Sequence, residues 1–317
     1  MKHLDLSRSG DDYVARVVEA PDPVPRPGEV LARVAASGVN RADLAQAAGR
    51  YPPPPGESPI PGLEISGTVV GSGEEVCALL AGGGHAELAA VPLGQLMPSP
   101  RQMTLLHAAA IPEAFLTAYV NLSLEAGLAR GQRALVHAGA SGVGLAAIQV
   151  ARALGARVAA TTRSKEKLRA LEEAGAELAI DSSGGDFAQA VEKTWGRGPV
   201  DVILDPVGAA TVAGNLRVLA TGGRIVFLAT MSGSRAEVEI RDLMSRRARL
   251  IGSTLRSRSR EEKAAIVEGF RRDLLPLFDS GELHETLDSI HPAAEATAAF
   301  SRMAANLNVG KILLRWR

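Results

Sequence analysis

Three glycines in Leu135-Val136-His137-Ala138-Gly139-Ala140-Ser141-Gly142-Val143-Gly144 follow the order GxxGxG, between an apolar strand-like run and an amphipathic helical one. A turn of residues without Cβ lets backbone amides approach a pyrophosphate, and the start of the next helix adds partial positive charge. Gly139, Gly142 and Gly144, with the amides of Ser141, Gly142 and Val143, are therefore the expected cradle for a dinucleotide. Roughly 20 residues further on, a site for NAD would place a carboxylate for the ribose 2′-hydroxyl. The chain instead reads Thr161-Thr162-Arg163-Ser164-Lys165-Glu166-Lys167. Thr162, Arg163, Ser164 and Lys167 put positive charge and hydroxyls where a 2′-phosphate would sit, and the expected cofactor is NADPH. A serine N-cap before an exposed Lys/Glu face would leave the same pattern.

Asp205-Pro206-Val207-Gly208 closes another apolar run. On a nucleotide-binding sheet that end faces the cofactor, so Asp205, Pro206 and Val207 either shape a nicotinamide pocket or form an ordinary Pro–Gly turn. None of the six histidines pairs with Cys, His or a carboxylate at a ligand spacing, and no metal is expected. His137, at the end of a buried run, reads as a satisfied core residue. Ser141 is not in a GxSxG elbow, so a hydrolase triad is unsupported. Without a metal or an evident base, hydride transfer from a nicotinamide suits acceptors that tolerate negative charge, namely quinones and conjugated carbonyls.

The elements that must position these groups follow from the composition. At 317 residues the chain has room for about two domains. The 35 basic and 35 acidic residues cancel, which argues against a nucleic-acid partner. A single cysteine, Cys77, excludes an internal disulfide and any multi-cysteine zinc site. The polar start, MKHLDLSRSGDD, does not resemble a signal peptide, and no uncharged run is long enough for a membrane span; a cytoplasmic protein is expected. Residues 1–115 are rich in proline, with short β-like runs at Tyr13–Val18, Glu29–Ala35, Gly67–Val70 and His85–Val91, which predicts a small, mostly β domain. From about 130, apolar runs at 133–137, 157–161, 177–181, 200–205, 224–229 and 249–255 alternate with helical spacing. Six strands and five crossovers predict a doubly wound parallel α/β sheet. A long helix over 259–280, a run at 287–290, a helix near 292–304 and a last strand at 311–315 follow. That last strand has no neighbour of its own and is expected to return to the first domain.

The chain resembles the zinc-independent quinone oxidoreductases of the medium-chain dehydrogenase/reductase superfamily. It is most similar to the tumour-suppressor-inducible branch, with zeta-crystallin a more distant relative. The resemblance rests on Gly38-Val39-Asn40-Arg41-Ala42-Asp43-Leu44, Gly49-Arg50-Tyr51-Pro52-Pro53-Pro54-Pro55-Gly56, Pro61-Gly62-Leu63-Glu64-Ile65-Ser66-Gly67 and Ala110-Ile111-Pro112-Glu113-Ala114-Phe115-Leu116-Thr117-Ala118. The glycine loop, Leu255-Arg256-Ser257-Arg258 and Asn308-Val309-Gly310-Lys311-Ile312 extend it over essentially the whole chain. It implies a Rossmann domain at 118–267 and a discontinuous GroES-like catalytic domain at 1–117 and 268–317, with the active site in the cleft. Asn40 and Leu63 stand where zinc-dependent relatives carry Cys and His.

The resemblance further implies that Asn40 and Tyr51 line the nicotinamide and substrate site and that Thr117 contacts the nicotinamide ribose. Phe227, Leu228 and Ala229, then Thr254, Leu255 and Arg256, and finally Asn308 complete the nicotinamide end. The implied activity is hydride delivery from NADPH to a quinone, by a homodimer paired through the strand at 249–255. Reduction of activated C=C bonds (enals, enones or enoyl thioesters) and a non-enzymatic nucleotide-binding role are the alternatives. Two departures stand out. Ile180-Asp181-Ser182-Ser183 lacks a tyrosine common near the adenosine, and Val70–Val76 is shorter than usual.

Overall fold

The computed structural model describes all residues, 1–317. The chain forms two compact units, Met1–Leu116 with Leu255–Arg317, and Thr117–Thr254.

The first unit opens with a hairpin of β1 (Lys2–Ser9) and β2 (Asp12–Glu19). It continues through β3 (Glu29–Val39), α1 (Arg41–Ala47), β4 (Glu64–Val69), β5 (Glu75–Leu79), β6 (Leu88–Pro92), β7 (Leu96–Pro98), α2 (Leu105–Ala108) and α3 (Pro112–Tyr119). In β3, buried Ala32 and Val34 flank exposed Arg33, the period of two that places one face of a strand inward. That face meets Ile65, Ala78 and Val91. β1 escapes sequence reading because Leu4 is its only buried residue.

The second unit contains β8 (Arg133–Val136), α4 (Gly142–Ala153), β9 (Arg157–Thr162), α5 (Leu168–Glu173), β10 (Leu178–Asp181), α6 (Phe187–Trp195), β11 (Val200–Asp205), α7 (Val212–Val218), β12 (Leu219–Phe227), α8 (Ile240–Arg246) and β13 (Arg249–Gly252). Its six strands are all parallel, in the order β10-β9-β8-β11-β12-β13. Counted within the unit this is 3-2-1-4-5-6, the doubly wound Rossmann order, as the alternating runs predict. Leu135, Ala159, Ile180, Ile203 and Ile225 from the strands pack with Phe187, Val191, Trp195, Val212 and Leu216 from the helices.

The chain then returns to the first unit through α9 (Arg260–Asp273), α10 (Pro276–Asp279), β14 (Leu287–Pro292), α11 (Ala296–Ala304) and β15 (Lys311–Arg315). The helix expected over 259–280 breaks because Pro276 has no amide to continue the ladder. β15 pairs antiparallel with β3, Ile312 opposite Val39 and Leu314 opposite Ser37. The last strand thus completes the first sheet, β14-β15-β3-β4-β5-β7, with β6 also on β3. The junction expected at 267/268 would cut through α9. The unit instead begins at Leu255, because buried Arg256 is tied to Ala81 and Tyr51 of the same unit.

Candidate active site

In the second unit, the turn after β8 is held by backbone and cap. Gly139 N–H donates to Thr161 O at 2.7 Å, and Ala138 sits at φ 51°, a left-handed conformation uncommon for a residue with a side chain. Ser141 caps α4 by accepting from Gly144 N–H at 3.0 Å. A Cβ at Gly144 would collide with the Ala138 carbonyl, so only glycine closes this turn. The amide of Ser141 is not aimed outward as expected, because it donates to Ala138 O at 3.0 Å. Gly142 and Val143 remain as first-turn donors, whose N–H groups have no carbonyl one turn earlier within the helix. This cradle fits a pyrophosphate.

Asp205 is fully buried and turned inward. Its carboxylate accepts from Val207 N (2.6 Å), Gly208 N (2.9 Å), Thr211 Oγ1 (2.6 Å) and Asn215 Nδ2 (2.6 Å). Asp205 thereby fixes the Pro206-Val207 turn. Asn215 Oδ1 meets His137 Nε2 at 2.7 Å, and His137 Nδ1 meets Thr161 Oγ1 at 2.9 Å. Burial, the dominant influence, lowers the His137 pKa against the opposing pull of Asp205 and Asn215. A neutral imidazole with its proton on Nε2 satisfies the whole chain, and His137 is the core residue its position suggests.

At the end of β9, Thr162 is buried and its carbonyl accepts from Ser182 N–H at 2.8 Å. Arg163 is exposed. The Ser164 hydroxyl donates to Glu166 rather than standing open. The Asp181 carboxylate accepts from Ser183 N–H at 2.9 Å, and hydrogen bonding by Ser183 holds it below the usual range. Leu228 N–H donates to Asp205 O and Ser253 N–H to Phe227 O, which ties the strand ends before Ala229 and Thr254 to one another. Thr117 is buried, and its carbonyl accepts from Asn121 Nδ2 at 2.7 Å.

The first unit holds a buried polar network. Asn40 Nδ2 donates to Glu64 Oε1 at 2.9 Å and Gly38 O at 3.2 Å, while its Oδ1 accepts from Lys311 Nζ at 2.8 Å. Lys311 also pairs with Glu64, and Glu64 Oε2 accepts the amide of Glu113 at 2.8 Å. Gly38 permits this approach, since a Cβ there would strike the Glu64 carboxylate. Asp43 accepts from Asn40 N–H (2.8 Å) and Gly62 N–H (3.0 Å) and lies 3.3 Å from His85 Nε2. Both side-chain amide protons of Asn40 are thus spent inside the protein, where Asn40 orients the network.

Tyr51 is half-buried, with the Arg256 guanidinium 5.1 Å from its ring centroid. Arg256 donates to Tyr51 O (2.9 Å), Ala81 O (2.7 Å) and Gln46 Oε1 (2.6 Å). It braces the Tyr51 loop, and Leu255 beside it is buried. Burial, then Glu113, raises the Tyr51 pKa against Arg256, which keeps the phenol protonated as a donor. Asn308 Nδ2 donates to Gly310 O at 2.9 Å. The structure gathers Asn40 and Tyr51 with Asp43, Glu64, His85, Glu113 and Lys311, none of which sequence reading singled out. Lysine scarcity was a usable signal, since Lys311 is one of only six and opens an apolar strand.

A family model for the alcohol dehydrogenase GroES-like domain matches residues 26–101, and one described as zinc-binding dehydrogenase matches 142–268. The solved quinone oxidoreductase of Thermus thermophilus, studied also as its complex with NADPH, is 35% identical and superposes with a TM-score of 0.85, covering 99% of this chain and 100% of that one. The quinone oxidoreductase of Lama guanicoe is 30% identical over 99% of this chain and 97% of its own. The JamJ enoyl reductase in its apo form is 26% identical at a TM-score of 0.85, with 99% of each chain covered. A Mycobacterium tuberculosis polyketide synthase described as putative and inactive, Pks1, is 34% identical over 298 residues, and the chain spans only 18% of that protein's length. Mycobacterium bovis Pks15/1 gives the same identity over 14% of its length.

The chain belongs to the medium-chain dehydrogenase/reductase superfamily of oxidoreductases. Within it, quinone oxidoreductases are among its full-length relatives. The side chains do not fit the zinc that one matched family's description carries. Leu63 is buried and apolar, Cys77 is buried, and the Lys311 ammonium lies against the Asn40 amide. No group of three or more His, Cys, Asp or Glu residues is disposed to hold a metal ion. No helix is long and apolar enough to cross a membrane.

Proposed function

We propose that this protein is an NADPH-dependent quinone oxidoreductase, acting as a cytoplasmic homodimer. The observation that carries the reading is full-length likeness to quinone oxidoreductases, one of them studied with NADPH. Three cationic side chains, Arg163, Lys165 and Lys167, stand after β9 where an NAD site would present a carboxylate, which supports the phosphorylated nucleotide. When bound, the nicotinamide supplies a hydride. Gly142 and Val143 bind the pyrophosphate, and the Arg163–Lys167 turn binds the 2′-phosphate. Pro206, Val207, Phe227, Leu228, Ala229, Thr254 and Thr117 border the nicotinamide. Tyr51 donates a hydrogen bond to the acceptor's carbonyl oxygen, steadied from beneath by Arg256.

A second reading is reduction of conjugated C=C bonds, which the likeness to an enoyl reductase favours. Initial rates with NADPH and NADH, each against 9,10-phenanthrenequinone, a naphthoquinone and a short 2-enal, separate the two. Quinone turnover preferring NADPH is expected. Turnover with the enal alone would replace the first reading by the second. NADPH binding without any turnover would favour a non-enzymatic nucleotide-binding protein. Lys167→Glu is expected to weaken NADPH at least tenfold while leaving NADH little changed; unchanged NADPH affinity would overturn the 2′-phosphate assignment.

A further inference from the structure

The turn that follows β9 carries anions as well as cations. Ser164 precedes a short 3-10 turn, Lys165–Lys167, that leads into α5. Its hydroxyl donates its one proton to the Glu166 carboxylate, and that bond holds Glu166 below the usual carboxylate range. β10 runs parallel beside β9 with Asp181 opposite Thr162, and Ser182 N–H donates to Thr162 O at 2.8 Å. A second carboxylate therefore stands at the same end of the sheet, one of its oxygens accepting from Ser183 N–H at 2.9 Å. Arg163, Lys165 and Lys167 share this end with Glu166 and Asp181, so the cationic surplus there is one charge and not three. All of these residues belong to the second unit.

We infer that Glu166 sets the choice between nucleotides with and without a 2′-phosphate. The inference rests on the reading of the Arg163–Lys167 turn as the 2′-phosphate site, and it names the residue that tunes that site. A hydroxyl has one proton to donate, so Ser164 serves either Glu166 or a phosphate oxygen. A phosphate brought to Ser164 also meets the Glu166 carboxylate as a like charge. Glu166 must leave Ser164 before a 2′-phosphate can take its place, and that displacement weakens the phosphorylated nucleotide. A free ribose 2′-hydroxyl has the opposite need. It is a donor in search of an acceptor, and the Glu166 carboxylate held at Ser164 can accept it, as a carboxylate does in an NAD site. The carboxylate missing from the end of β9 is thus supplied two residues beyond Ser164. The cations favour the phosphorylated nucleotide, and Glu166 limits by how much.

The test compares adenosine 2′,5′-bisphosphate with adenosine 5′-monophosphate, two ligands that differ only in the 2′-phosphate. Dissociation constants are measured by calorimetry at one ionic strength for wild type, Glu166→Ala and Glu172→Ala, with no turnover required. Glu166 and Glu172 are both exposed, so each variant removes one surface charge and leaves the core untouched. Glu166→Ala should bind the bisphosphate roughly fivefold more tightly and the monophosphate roughly threefold more weakly, which raises the ratio of the two constants about tenfold. Glu172→Ala, further along α5, should leave that ratio within about twofold of wild type. A ratio unchanged or lowered in Glu166→Ala would overturn the inference. So would an equal rise in Glu172→Ala, because net charge alone would then account for it. Wild type that binds neither ligand would sink the dinucleotide reading and the inference with it. Binding of both ligands with an unmoved ratio sinks the inference alone.

Discussion

Lys311 and Glu64 are both almost wholly buried and pair with each other and with Asn40, and the Glu113 amide is the further donor to Glu64. Removing one partner of such a pair leaves a charge without water or counterion. Lys311→Met should therefore destabilise the first unit by about 3–5 kcal/mol in urea unfolding. The half-exposed pair Arg157–Glu177 provides the contrast: Arg157→Met should leave the urea midpoint little changed. Equal losses in the two variants would refute the view that burial decides the value of these pairs. Glu113 gives the pH dependence its sign. Its carboxyl sits at about 8 in the folded protein and near its ordinary 4.5 in the unfolded chain, so the folded state holds a proton the unfolded state releases. That contribution is complete below about 4.5 and is lost as pH rises toward about 8. Glu113→Gln should flatten the corresponding slope of stability against pH, and an unchanged slope would count against a proton held on Glu113 in the folded state. Of these groups only Asn40 and Tyr51 were legible beforehand. Buried charges leave no periodic trace, and in sequence Glu64 and Glu113 look like any surface carboxylate. The hydrogen bonds of Asn40 and Arg256 were not legible, because motif matching places a residue and not its partners.

The glycine turn and α4 act as one element. Ser141 supplies the only side-chain cap of α4, and Ser141→Ala should lower the stability of the second unit by about 1 kcal/mol. The change should be seen in thermal melts and should be smaller with NADPH present. Gly144→Val should abolish NADPH binding in a fluorescence titration, because its Cβ would drive into the Ala138 carbonyl. Retained binding would mean that the turn can open without losing its function. The Rossmann alternation was legible because parallel strands buried on both faces are near-continuous apolar runs, and α4, α5 and α6 end at Gly155, Gly175 and Gly196. The first unit was less so. β1 buries one leucine, and β5 follows a tight turn whose Val69 N–H to Glu74 O bond no periodicity announces. α1 and α2 are too short to show a repeat of 3.6. The spacing over 259–280 reads as one helix, but the chain breaks between α9 and α10 because Pro276 cannot extend the ladder.

At the scale of the whole molecule, β13 is the edge of the parallel sheet in the second unit, and only one of its sides is paired. An edge strand with unpaired amides is a template for another strand unless charge or a covering element blocks it. β13 presents Leu250 at 41% exposure, and α8, just before it in the chain, exposes Ile240 at 68% and Met244 at 73%. No residue of α8 is buried, although a seven-residue helix has little stability of its own. A second copy pairing antiparallel along β13 would cover these side chains about a two-fold axis, with the same strand used by both partners. The expected species in sedimentation velocity is therefore a dimer. Leu250→Lys with Met244→Lys would set like charges against each other across the axis and should yield monomer, while Leu307→Lys, an exposed leucine of the first unit, should leave the dimer intact. A wild-type monomer, or a dimer that survives the paired substitution, would leave β13 and α8 exposed for another reason and would remove the edge-strand interface from the reading of this protein.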